Sequence, residues 1–136
     1  MRPSIAEHLF GIGRLLDAVA EDPGLSEASR RLLSDATKQL ARLAAGADER
    51  GRFVDWDNAA TLAVLADLDG LDLDLDLLAA DAVARNGQLR QMLVTALETL
   101  GEHEAGARAQ ITRHLRHRVD ANPALNKQPR YPSEDD

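Results

Sequence analysis

Cysteine is absent from the chain, so disulfides, thiolate nucleophiles, zinc fingers and Cys-ligated iron–sulfur clusters are excluded by count alone. Aromatic residues are nearly absent too: Phe10, Phe53, Trp56 and Tyr131 are the whole set. Nucleic-acid binders stack bases on aromatic rings and attract phosphates with positive charge. Here 16 Lys and Arg face 23 Asp and Glu, a net charge of −7 that repels a phosphate backbone. No run approaches the roughly 18 apolar residues that span a bilayer. The start, Met1-Arg2-Pro3-Ser4, leads into an amphipathic stretch interrupted by Glu7 and His8. A cytoplasmic protein with neither membrane nor nucleic-acid partners is the expectation.

What is present favours a folded chain. Hydrophobic residues make up 44% and charged residues 29% of 136, a balance with enough apolar surface for one compact domain. Ser4-Ile5-Ala6-Glu7 reads as a capping box that starts a helix, and Ile5, Leu9, Ile12, Leu15, Leu16 and Val19 follow at steps of three and four until Asp22-Pro23-Gly24. Gly11 and Gly13 each cost about 1 kcal/mol in a helix interior, which raises the alternatives of a close backbone approach and of simple tolerance. Ser26 caps a second helix whose stripe of Leu25, Leu32, Leu33, Ala36, Leu40 and Leu43 runs to Gly46. Residues 46–53 are polar and glycine-flanked and read as a loop.

Asp55 or Asp57 then caps a third helix that is apolar on nearly every side and ends at Gly70. The strict alternation Leu71-Asp72-Leu73-Asp74-Leu75-Asp76-Leu77 has strand periodicity but poor strand formers and no partner, and is read as an extended acidic linker or an Asp-rich lead-in to the next helix. From 77 to 100 the positions Leu78, Ala82, Asn86, Leu89, Leu93, Ala96 and Leu100 share one helical face, with Asn86-Gly87 a candidate kink. A last helix spans about 104–121 with Ala107, Ile111, Leu115 and Val119 inward, and Asn122-Pro123 stops it. The expectation is an all-α, single-domain helical bundle of about five helices over residues 1–123, with an extended acidic segment and an extended or disordered tail over 124–136.

Chemistry is sparse. Asp67, Asp69, Asp72, Asp74 and Asp76 suggest calcium, but with Gly70 as the sixth position of an EF-hand loop the first ligand position falls on Leu65, so a solvated acidic face is the better reading. His114 and His117 stand three apart on one side of the last helix, with Asp120 as a possible third ligand. Arg113, Arg116 and Arg118 flank them and oppose a cation, which favours an anion-facing or acid-facing surface; no metal and no cofactor is expected. Phe53-Val54-Asp55-Trp56-Asp57-Asn58 holds half of the aromatics. Trp56 reads as a plug between loop and core or, alternatively, as the wall of a ligand pocket with Asp57 and Asn58 as its polar groups. No nucleophile elbow, phosphate loop or dinucleotide fingerprint is present, so no catalytic residue is assigned.

The segments Arg2-Pro3-Ser4-Ile5-Ala6-Glu7-His8-Leu9 and Trp56-Asp57-Asn58-Ala59-Ala60-Thr61, with an ending similar in style from His114-Leu115-Arg116 to Asn122-Pro123, resemble an uncharacterised bacterial all-helical family. That family is associated with genes for acyl-CoA dehydrogenases and aminoglycoside-phosphotransferase-like kinases. The resemblance covers less than a quarter of the chain. It implies an all-helical accessory protein in acyl-CoA or related catabolism, with such a dehydrogenase or phosphotransferase-like protein as partner.

Charge is segregated. Residues 53–84 hold eight aspartates and no base, whereas 104–130 hold six bases against two acids. The two signs could meet within one chain or between two copies. Two functions follow as expectations: a non-catalytic, self-associating interaction or accessory protein, with a homodimer as the simplest assembly; and a small-molecule-binding protein or minor enzyme with a pocket near Trp56. The ligand-binding candidates are Trp56, Asp57, Asn58, His114 and His117.

Overall fold

The computed structural model describes residues 3–68, 74–101 and 104–132, most of them helical and with no strand among them. Helix α1 covers Ile5–Ala20, α2 Glu27–Ala66, α3 Ala82–Thr99 and α4 Ala105–Ala121, with a single 3-10 turn at Leu75–Leu77. No helix is long and apolar enough to cross a membrane.

The all-α class holds, but with four α-helices in place of five. The second and third expected helices are one, because α2 runs unbroken through Gly46 and through 46–53, where a loop was expected. Glycine costs a helix about 1 kcal/mol, whereas proline removes a hydrogen bond and clashes with the preceding turn. Between Pro23 and Pro123 there is no proline, so nothing in that stretch forbids continuation. The expected caps Asp55 and Asp57 are therefore interior residues of α2. The extended acidic segment is corrected where it can be seen: Leu75–Leu77 form the 3-10 turn, with Asp74 Oδ1 accepting from the Asp76 N–H at 3.1 Å. Residues 69–73, including Gly70 and the start of the Leu-Asp alternation, lie outside the described residues.

The chain forms two compact units, residues 1–51 and 52–136. The N-terminal unit is a helical hairpin. Its α1 begins at the expected capping box, where the Ser4 hydroxyl accepts from the Glu7 N–H at 3.1 Å and the Glu7 carboxylate from the Ser4 N–H at 2.6 Å. The Ser4 N–H, which donates to the carboxylate, and after it the Ser4 hydroxyl favour the charged form and hold the Glu7 carboxyl below its ordinary value. The turn is set by Asp22, whose Oδ1 accepts from the Gly24 N–H at 2.8 Å, and Ser26 caps α2 by accepting from the Ser29 N–H at 3.1 Å. Neither Gly11 nor Gly13 is needed for a close approach: a Cβ at either would meet nothing within 4 Å.

The C-terminal unit is built from the end of α2 with α3 and α4. Leu65, Leu68, Leu89, Leu93, Ala96 and Ile111 form its apolar core. Asp81 caps α3 by accepting from the Ala84 N–H at 2.9 Å, so that helix starts later than the spacing suggested and passes through Asn86-Gly87 without a break. After α4 the chain turns back: the Asn126 side-chain amide donates to the Val119 carbonyl at 2.6 Å, and the Arg130 N–H to the Asp120 carbonyl at 3.0 Å. Residues 124–132 thus have no regular element yet are tied to the end of α4.

Candidate functional site

All five residues singled out from the sequence, Trp56, Asp57, Asn58, His114 and His117, come together in the C-terminal unit, where α2 faces α4. Asp57 is fully buried. Its Oδ2 accepts from Asn86 Nδ2 at 2.7 Å and from Arg118 Nε at 2.8 Å. Asn86 donates also to Asn58 Oδ1 at 2.9 Å, and Asn58 Nδ2 donates to the Ala82 carbonyl at 2.9 Å, which fastens α2 to the first turn of α3. On the other side, Thr61 Oγ1 and His114 Nε2 share a hydrogen bond of 2.8 Å. One polar network therefore joins three helices.

A helix presents residues three and four apart on one face, and this rule explains which side chains meet. Asp57 and Thr61 are one turn apart on α2, and His114 and Arg118 one turn apart on α4; Asp57 meets Arg118 while Thr61 meets His114, as two antiparallel helices require. The consequence overturns the expected register of α4. Leu115 and Val119 were placed inward but are 37% and 54% exposed, whereas Ile111, His114 and Ala121 are buried. A buried carboxylate needs a cation and hydrogen-bond donors to offset its desolvation, and His114 and Arg118 occupy the inward positions that would otherwise take the two apolar residues.

The electrostatics are unequal at the two carboxylate oxygens. Oδ2 has both donors, but Oδ1 is buried with no hydrogen-bond partner and lies 3.7 Å from His114 Nε2, beyond bonding length. Burial holds His114 below its ordinary value, against the opposing attraction of Asp57 and with help from Arg118 and His117. Thr61, His114 and Asp57 contain the residue types of a nucleophilic triad but not its geometry. A relay needs the nucleophile and the carboxylate on opposite ring nitrogens, whereas Thr61 and Asp57 both approach Nε2. Thr61 is in addition almost wholly buried and out of a substrate's reach.

Beside the network opens a groove of about 580 Å³. Its floor is Ala59, Ala60, Ala63 and Val64 of α2, and its opposite wall Gln110, Arg113, His114 and His117 of α4; Trp56 and Pro132 also line it. Trp56 is stacked around by Phe53 at 6.2 Å, His114 at 6.1 Å and, edge-on, Tyr131 at 5.6 Å between ring centroids. The Arg118 guanidinium lies 5.8 Å over the Phe53 ring while its Nε is held by Asp57. Trp56 is thus both wall and plug. Asp57 and Asn58 stand in the network behind the groove, and His117 on the groove itself.

Thr61 and Asn86 were not among the candidate site residues, and Arg113 and Arg118 entered only as flanking charges of an anion-facing or acid-facing surface. Asn86 carried a readable signal: a polar residue in register with Leu78, Ala82, Leu89 and Leu93 must find a partner if its stripe is buried. Among the described residues no three His, Asp or Glu side chains stand together so as to hold a metal ion. No family model, curated protein or solved structure matches the chain.

Proposed function

We propose that this chain is a non-catalytic, cytoplasmic helical interaction protein that self-associates through the hairpin formed by α1 and the first half of α2. The supporting observation is the apolar surface that this hairpin leaves uncovered. On α1 the apolar stripe is wider than the part that is covered: Ala6 and Gly13 are buried and Leu9 and Leu16 half-buried, but Ile5, Ile12 and Val19 on the adjoining flank, and Leu15 further round, are exposed. On α2, Leu33, Leu40 and Ala44 turn inward while Leu32 and Leu43 remain exposed. Two helices cannot cover stripes of this width, and a second hairpin completes a four-helix bundle. Contiguous exposed apolar surface rimmed by polar residues marks association surfaces. Sedimentation velocity on the full chain should give a dimer, and Leu15→Glu with Leu32→Glu a monomer of unchanged helicity; a strict monomer at high micromolar concentration overturns the reading. An accessory role beside an acyl-CoA dehydrogenase or phosphotransferase-like partner extends the same reading, on the strength of the resemblance alone.

The interface so drawn is apolar, and this decides between the two ways the copies could meet. An apolar contact should hold its affinity from low to high salt, whereas pairing of the acidic 53–84 stretch with the basic 104–130 stretch should weaken steeply. One of those opposite-sign pairs, Asp57 with Arg118, is already consumed inside the C-terminal unit.

A second reading, small-molecule binding, is favoured by the groove beside Trp56. Its volume falls in the range of ligand sites, and its lining combines an apolar floor with a few polar groups on one wall. Trp56 is the only tryptophan. Its fluorescence should respond saturably to a bound molecule, and an unresponsive Trp56 with no calorimetric heat overturns this reading.

A further inference from the structure

We infer that the groove between α2 and α4 binds an amphiphilic monocarboxylate: an organic acid whose apolar body lies on Trp56 and the alanine floor and whose head is held by Arg113 and His117. This assignment rests on the small-molecule reading of the groove and adds the charge and shape of its ligand.

Three arrangements point to that class. The first is the division of the arginines on α4. Arg118 is committed to Asp57 at 2.8 Å and is unavailable, whereas Arg113 lines the groove and forms no ion pair among the described residues. Arg113 and His117 are four apart, hence neighbours on one helix face about 6 Å apart, a spacing over which both can reach one carboxylate. The second is the floor. Ala59, Ala60 and Ala63 form a trough of short apolar side chains with an indole ring at one end, a surface that gains from covering by hydrocarbon and offers no polar partner. The third is Asp67, which also lines the groove. It follows the last residue of α2. By the register that sets Asp57 against Arg118 and Thr61 against His114, it stands about seven residues, roughly 10 Å at 1.5 Å per residue, beyond the midpoint of Arg113 and His117. A ligand carrying a second carboxylate at that distance from the first would face Asp67 and be repelled. A guanidinium and an imidazole on one wall, hydrocarbon below and an acid beyond them together select one negative head and an uncharged body.

Tyr131 touches the Trp56 ring edge-on and Pro132 lines the same groove, so a body seated there changes the surroundings of the indole and can be followed by its emission. The test uses the full chain at low salt with three probes below their micelle-forming concentrations: decanoate, 1-decanol and decanedioate. Decanoate should saturate the Trp56 response and bind about tenfold or more tightly than either other probe, the scale of one charge-assisted contact. The Arg113→Gln, His117→Gln double variant should bring decanoate to the level of 1-decanol. Arg116→Gln, exposed on the same helix and outside the groove, should leave it unchanged. Equal binding of all three probes leaves a groove that binds by apolar contact and overturns the carboxylate assignment alone. A decanoate preference that survives the double variant overturns it as well. No response to any probe, in emission or in heat, removes the small-molecule reading and the assignment together.

Discussion

The two units of this chain solve the same problem, covering the apolar faces of short helices, in opposite ways. In residues 3–51 the fully covered side is built from the smallest residues, Ala6, Gly13 and Ala44, and the larger apolar side chains beside them stay exposed. In residues 52–132 the large residues Leu65, Leu89 and Ile111 are fully buried, and Asp57, Asn58, Thr61, Asn86 and His114 are buried with them. Apolar burial is non-directional and tolerates many registers, whereas a buried carboxylate with fixed donors tolerates one. The C-terminal unit therefore has its helix register specified by hydrogen bonds. The hairpin has only the width of its stripes to specify anything, and that width exceeds what two helices can cover.

The largest effect should come from breaking the buried pair. Asp57→Ala leaves the Arg118 guanidinium, four-fifths buried, without its carboxylate and removes one acceptor of Asn86. Loss of one partner of such a pair costs about 3–5 kcal/mol, and urea denaturation should show it as a lower midpoint. Replacing both partners by apolar residues of similar volume, Asp57→Leu with Arg118→Met, should recover most of that loss. A single variant with no effect would mean that the network is solvated and that the contrast between the units is false.

Next in size is a matched pair of leucines. Leu89→Ala, in the core, should cost about 2–5 kcal/mol, while Leu15→Ala, 68% exposed, should lie within about 0.5 kcal/mol at concentrations where the chain is monomeric. Raising the concentration sharpens the comparison. If a second hairpin covers Leu15, its truncation should become costly as the dimer forms, and the Leu89 value should stay where it was.

How much of this was legible beforehand depends on which rule each residue obeys. The capping box at Ser4 and Glu7, the stop at Asp22-Pro23-Gly24 and the face of Asn86, Leu89, Leu93 and Ala96 are local or periodic and were readable. The continuity of α2 was not: glycine and polar residues at 46–53 correlate with loops but do not break a helix as proline does. The register of α4 was misread for a different reason. Ile111, Leu115 and Val119 make a good apolar stripe, and choosing His114 and Arg118 instead depends on Asp57, 57 and 61 residues earlier, a tertiary demand that no window on α4 contains. His114 and His117, noted as a pair, both line the groove, and only His114 is also bound into the buried network.

His114 gives the two units a second point of difference, in pH. Burial holds its folded-state pKa below the ordinary 6.5, so between the two values the unfolded chain binds more protons than the folded one. Stability of the C-terminal unit should therefore fall as pH drops below about 6.5 and level off once the folded-state pKa is passed. His114→Gln should flatten that dependence, seen in thermal melts across pH 5 to 8. The described residues of the hairpin include no buried histidine.

The smallest effect probes the hairpin from within. Gly13 is on the covered side of α1, yet a Cβ there would meet nothing within 4 Å, so alanine fills free space and relieves the entropic cost of glycine in a helix. Gly13→Ala should stabilise the chain by up to about 1 kcal/mol, read as a higher melting temperature. The sign is the informative part. In a lone hairpin the methyl group is harmless, and because Gly13 is covered within the hairpin a second copy seated on the exposed flank should not meet it. Stabilisation of the monomer with an unchanged dimer affinity puts the second copy on the flank of Ile5, Ile12 and Val19, with Leu15 further round. Weakened association means that the methyl group shifts α1 against α2 and carries the exposed flank with it.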